Sequence, residues 1–425
     1  MGTSPSESLA ARVEGRVTAF YLESTDFNGI PARQLLRELA VAHDDIKTTL
    51  CDLIASERVV AVIDVLNPHI RRLPDRPLDD QIRRVIAAYD ADYCLYPSRQ
   101  VLEATFDRST FQDRPFTLEL ALGAPQLEPV FFDLSVLEVY RNDPRYHYET
   151  NDISGWLGVR DEHYLSDKME ERDKISLQDF GFGYSEDYDR AVAVYLRYLS
   201  DLSPEHQKIW NARRLRGAYT LHPDHYRSTI LGEWPERISL FDAFISELQV
   251  INEMAVKMGR PPMFRSDFVE RPRSFGFLVR PTSKELDDFI HLLDKMLSEN
   301  LNRDFFVGEV PLEEETERAD GKIVVTQIGT IRLLGSWFTK RFRIPDPQPL
   351  EAAFSAMKKV RKLRQHPAHA VDDEKFDLQF FKEQRALMME AYEAVRTIRL
   401  CLANDPAAKD VEVPEQLFKG KIWTM

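Results

Sequence analysis

The sequence predicts an α+β protein that is mostly helical, with a mixed α/β N-terminal region and a C-terminal antiparallel four-helix bundle carrying a small β insertion. Three observations predict it. From about residue 236 onward, apolar residues recur at helical spacing through four long segments. Before that point, short β-branched and aromatic runs alternate with short helical patterns. The composition, 43% apolar and 30% charged over 425 residues, supplies ample core material.

Residues 1–75 read as one module. The run 15–22 is rich in Val, Thr, Phe and Tyr and reads as an opening strand. Residues 31–40 read as a helix with Leu35, Leu36 and Leu39 on one face. A second helix over 44–56 places Ile46, Leu50, Leu53 and Ile54 on a single stripe, and 59–63 reads as a strand. Helix, short turn, helix and strand in that order resembles a winged helix-turn-helix. Reading DNA requires basic or amide side chains on the second helix. This helix opens with Asp44 and Asp45 and offers mainly Lys47 and Arg58, which favours a structural or protein-binding module.

Residues 76–235 form a mixed α/β region that indicates no role. The run 116–122 alternates like a half-buried strand, 128–134 reads as another, and 190–199 and 204–214 read as helices. Nothing repeats at a fixed period of about 20–50 residues, which argues against a solenoid.

Residues 236–425 read as the bundle, interrupted by an insertion at 303–345. The first helix, 240–258, carries Phe241, Phe244, Leu248, Ile251 and Met254 on one stripe. Thr282-Ser283-Lys284-Glu285 has the spacing of a capping box and starts the second. The insertion holds an acidic loop, Glu313 to Glu317, and a strand-like run over 322–334. Helices over 350–364 and 376–404 complete the set, the last stopped by Asn404-Asp405-Pro406.

Charge narrows the partners. The net charge is −14, yet residues 351–425 carry thirteen basic side chains against twelve acidic ones, so the acidity lies in the earlier part. Such a bulk field repels nucleic acid at long range and favours a protein partner for the acidic N-terminal region. No run of apolar residues is long enough to span a membrane, and the first residues lack the pattern of a secretory signal. Three scattered cysteines, Cys51, Cys94 and Cys401, form no framework and fit reduced thiols, so a cytoplasmic location is expected. The phosphate-loop, dinucleotide, zinc-protease and nucleophile-elbow motifs are all missing. His222 and His225 stand three apart, but proline between them favours a loop and no third metal ligand can be named.

One constellation remains. Lys358, Lys359, Arg361, Lys362 and Arg364 crowd together and run into Gln365, His366, Pro367 and His369. Pro367 disfavours continued helix, so the arginines should end one helix and the histidines should lie in the turn. Arginine and histidine at this separation also occur as Arg37/His43, Arg141/His147 and Arg216/His222, but only Arg361/His366 and Arg364/His369 adjoin a basic run between long helices. Here the chain resembles the HEPN domains, all-helical bundles that carry an Arg-x(4–6)-His motif, usually with a polar residue after the arginine, a slot Gln365 fills. It also looks like uncharacterised bacterial proteins ending in such a helix pair. The resemblance spans at most residues 236–405.

It implies a metal-independent endoribonuclease acting through a site shared across a homodimer, with no cofactor and with RNA as substrate. His369 would be the general acid/base and Arg364 the phosphate clamp. Lys358, Arg361, Lys362 and Gln365 would hold the RNA backbone, and His366 would be a second proton carrier or a surface residue. The chemistry is coherent: the ribose hydroxyl is the nucleophile, histidine titrates near neutrality and arginine stays charged. Toxin or defence roles are common in that family. The same residue types also cap a helix C-terminus, and many HEPN-like bundles only bind, dimerise or regulate. Both readings stand at the level of sequence.

Overall fold

The segment read as an opening strand is helical. In the computed structural model, Leu9–Glu23 is an α-helix capped by the Ser8 side chain, and Val13, Val17 and Tyr21 are buried one turn apart. The β-prone residues of this run supply a helical stripe, and packing of that stripe overrides local propensity. The structure describes residues 8–424 except 64, 66, 72–74, 167–168, 171–172, 318–322, 344 and 366–372. The fold is α+β and about half helical, with several small sheets. It divides into two units: Met1–Val136, Arg145–His147 and Trp156–Leu221 form one, and Leu137–Pro144, Tyr148–Gly155 and His222–Met425 form the other.

In the first unit, Leu9–Glu23 is followed by the short strand Ile30–Pro31, the helices Ala32–Leu39 and His43–Ala55, and the strand Val59–Val62. The helix Leu78–Ala87 and the strand Cys94–Pro97 come next. Cys94–Pro97 is the middle strand of an antiparallel sheet, pairing with Ile30–Pro31 on one side and Val59–Val62 on the other. Val13, Val17, Leu35, Ile46, Leu50, Ile54 and Leu95 share its core. Gly29 sits against this sheet where a Cβ would run into the ring of Tyr96, so only glycine allows the approach.

Two further expectations fail in this unit. The run 116–122 is not a strand: Pro115–Ala121 is a helix with proline in its first turn, burying Phe116, Thr117, Leu120 and Ala121. Its N-terminus is satisfied from outside, because the Gln207 side-chain oxygen accepts from the backbone N–H of Phe116 at 3.1 Å and of Thr117 at 3.3 Å. The Gln207 amide nitrogen donates to Thr117 Oγ1 and to the carbonyls of Ser200 and Leu202. Residues 190–199 are not one helix: Arg190–Tyr195 is a strand buried from Ala191 to Tyr195, and only Leu196–Ser200 turns helical. A strand covered on both faces shows a continuous apolar run, which periodicity cannot tell from a helix. That strand lies between Pro129–Phe132 and Ser176–Tyr184 in a sheet continued by Ser154–Val159 and Tyr146–Thr150. Thr220–Leu221 also pairs with Ser176–Tyr184.

The second unit is built on the helices Leu240–Lys257, Ser283–Met296, Gln348–Gln365 and Gln379–Leu402, which pack around one core. The cap at the second is made by the Thr282 hydroxyl, which accepts from the Glu285 N–H. Glu285 itself reaches back past the cap to accept from the N–H of Val279 and Arg280. The insertion differs from expectation. Glu313–Glu317 is a strand rather than a loop, paired antiparallel with Ile323–Gln327. The strand then stops, and Thr330–Arg341 is a fifth helix whose Ile331, Leu333, Leu334, Trp337 and Phe338 join the common core. Arg399 and Glu247 form a buried ion pair inside that core. Arg271 donates to Asp152 at 2.6 and 2.9 Å and to Asp242 at 3.2 Å, tying residue 152 to the start of the helix Leu240–Lys257.

Candidate functional site

The basic run lies on the last two turns of the helix Gln348–Gln365, whose Leu350, Ala353, Met357 and Val360 face the core. That phasing places Lys358, Lys362 and Gln365 on the exposed side, and none of the three has an ion pair or hydrogen bond from its side chain among the described residues. Lys359 is exposed too, but its Nζ donates to both carboxylate oxygens of Glu390 at 2.7 and 2.8 Å.

Arg361 and Arg364 turn the other way, toward the end of the helix Ser283–Met296. Arg364 Nη1 donates to Asp294 Oδ2 at 2.8 Å and also to Glu299 Oε1. Arg361 approaches the same two carboxylates, at 3.6 Å from Asp294 and 4.0 Å from Glu299. Two guanidinium groups therefore meet two carboxylates, and their charges cancel locally. Asp294 is fully buried, with 0% of its surface exposed, so its charge depends on these partners. The Glu299 bond, then the Asp294 bond, favour the charged form of Arg364, and Arg364 in turn holds the Glu299 carboxyl below the ordinary range. Asp294 Oδ1 and Ser298 Oγ, buried on successive turns, have no partner among the described residues.

His366 and His369 lie outside the described residues, so the structure places Arg364, Arg361, Lys358, Lys362 and Gln365 but neither candidate proton carrier. Asp294 and Glu299 escaped sequence reasoning. Asp294 stands beside Leu293 in the apolar stripe of its helix, and a charge in such a stripe is the signal that would have found it.

Four of the other histidines have local duties. His43 Nε2 lies 3.1 Å from the Tyr93 hydroxyl. His147 packs on Trp156 with ring centroids 4.3 Å apart. A short helix, Pro223–Tyr226, stands where a loop was expected, because proline is well tolerated in a helix's first turn; His222 caps it, its Nδ1 accepting from the Asp224 N–H, and His225 Nδ1 lies 2.6 Å from Ser154 Oγ. Burial, and then the neighbouring His222, push the His225 imidazole down to about 4, so it is neutral at pH 7. Among the described residues no group of three or more His, Cys, Asp and Glu side chains is placed to hold a metal.

The helix His43–Ala55, second of the pair read as helix-turn-helix, buries Ile46, Leu50, Leu53 and Ile54 and exposes Asp44, Asp45, Thr48 and Asp52. Its one lysine, Lys47, pairs with Asp44 and donates to the Ile86 carbonyl. The exposed face is thus acidic and would repel a phosphate backbone. No helix among the described residues is long and apolar enough to cross a membrane. Compared with known proteins, the chain matches no family model, no curated protein sequence and no solved structure.

Proposed function

We propose that this is a binding and regulatory protein, with a HEPN-like C-terminal four-helix bundle that dimerises and a winged-helix-like N-terminal module that docks a protein partner. The observation that carries the reading is the arrest of Arg364. Its guanidinium is already bonded to Asp294 and Glu299, so it is not offered to a phosphate. For the N-terminal module, support comes from the order helix, strand, helix, helix, strand, helix, strand with the last strand central in the sheet, which is similar to a winged helix except for the helix Leu78–Ala87 inserted before that strand. Its acidic second helix favours a protein partner over DNA.

The test is RNA cleavage by the full chain in excess chelator, with the oligomeric state measured in parallel. A homodimer that leaves total cellular RNA intact is the expected result. Metal-independent cleavage would overturn it.

A second reading, the endoribonuclease, draws support from the exposed Lys358, Lys362 and Gln365 on the same two turns as the arginines. In that reading RNA displaces the carboxylates from Arg364, and His369 moves the proton. Cleavage leaving cyclic phosphate ends, lost in His369→Ala, would establish it. A chain freed by Asp294→Asn and Glu299→Gln but still unable to cut RNA would remove it.

A further inference from the structure

Away from the Arg364 cluster, the second unit has a cavity of about 730 Å3 among the helices Ser283–Met296, Gln348–Gln365 and Gln379–Leu402. Its volume is that of a small-molecule site. The floor is hydrocarbon, formed by Leu286, Ile290, Leu363 and Leu387. The rim is charged and unbalanced. Five carboxylates line it against three ammonium groups, and two of those ammoniums are committed within the protein. Lys284 donates to Asp288 at 2.5 Å, and Lys359 donates to Glu390. Lys375 is then the one rim lysine that donates to no carboxylate, Lys284 attracts Glu374 only at longer range, and none of Asp287, Asp373, Glu374 and Glu383 has an ion pair or hydrogen bond among the described residues. Burial, and then the adjacent Asp288, push the Asp287 carboxyl up, as expected for an anion that has no counter-charge.

We propose that this cavity binds an organic cation with an apolar body. The hydrocarbon covers Leu363, the floor residue still substantially exposed, and packs against the buried Leu286, Ile290 and Leu387. The ammonium head supplies the charge that Asp287 and Glu383 lack, through charge-assisted hydrogen bonds. A neutral molecule of the same shape gains only the floor, and an anion meets the uncompensated carboxylates. The site is independent of whether the protein cuts RNA.

Three probes that share one body separate these terms: phenylbutylamine, phenylbutanol and phenylbutyrate, titrated against the full chain by calorimetry or ligand-observed NMR. The amine is expected to bind saturably and about tenfold more tightly than the alcohol, with phenylbutyrate weakest. The double variant Asp287→Asn/Glu383→Gln, whose side chains lie at the rim and not in the core, should bring the amine to the level of the alcohol. Equal binding of all three probes, preference for the acid, no saturable binding of the amine, or an unchanged affinity in the double variant would each overturn the proposal.

Discussion

Arg364 and Asp294, seventy residues apart in the chain, meet through a 2.8 Å hydrogen bond in which a partly exposed guanidinium serves a fully buried carboxylate. The two partners are not equivalent. Arg364 keeps access to water and a second carboxylate, Glu299, whereas Asp294 has only arginines.

Removing the arginine should therefore cost more than removing the acid. Arg364→Met leaves Asp294 buried with only the longer 3.6 Å contact to Arg361 and is expected to lose about 3 kcal/mol, while Asp294→Asn loses about 1 kcal/mol. Urea unfolding of both variants checks this. Equal losses would show that the pair behaves as a surface contact. Any activity assay on an Arg364 variant accordingly needs a stability control.

Glu299 gives a pH dependence of known sign. Its folded pKa lies below the unfolded value because Arg364 donates to it. The stabilisation is present above the unfolded pKa, near 4.3, and is lost as pH falls through the folded value. Glu299→Gln should flatten the acid limb of a stability profile in that range. An unchanged limb would mean that the pair contributes nothing in solution.

His225 acts at higher pH. Held neutral down to about 4 against an ordinary value of 6.5, it opposes folding as protons become available, so stability should fall as pH drops from about 6.5 toward 4. Thermal melts at several pH values in this window, compared with His225→Asn, should show a steeper fall in the wild type. Parallel profiles would refute the assignment.

Gln207 is a single side chain satisfying two orphan helix N–H groups and three acceptors. Gln207→Met keeps its approximate volume but leaves those groups unpaired, at a cost of about 3 kcal/mol. Chemical denaturation measures it, and a loss under about 0.5 kcal/mol would show that water replaces the amide.

Gly29→Ala places a methyl group against the Tyr96 ring and should lower stability by about 1–3 kcal/mol through overpacking. The melting temperature is the readout. A silent substitution would mean that the ring moves freely.

The sequence was legible where one face of a long helix is apolar. Phe241, Phe244, Leu248, Ile251 and Met254 repeat at helical spacing and are buried together. It was illegible where short elements depend on distant partners. Val17 and Tyr21 are β-prone but sit on a helix, and the run from Ala191 to Tyr195 hides a central strand. Pro115 marked a helix start that the alternation after it concealed. At the candidate site the basic run was plain, but nothing near Arg364 in sequence announces Asp294 or Glu299, because the pairing is made across helices.

The interleaving of the two units constrains how the chain matures. Glu138, Arg141 and Asp152 belong with Arg280, Glu285 and Arg271, each more than a hundred residues downstream. A nascent chain emerging from the ribosome must expose these early segments until the helical region has been synthesised, and Asp152 waits for Arg271 at a position that ends buried. A proteolytic nick or premature stop near residue 221 would not release two self-sufficient halves. It would leave an N-terminal fragment bearing orphaned charges, a natural client for chaperones and quality-control proteases.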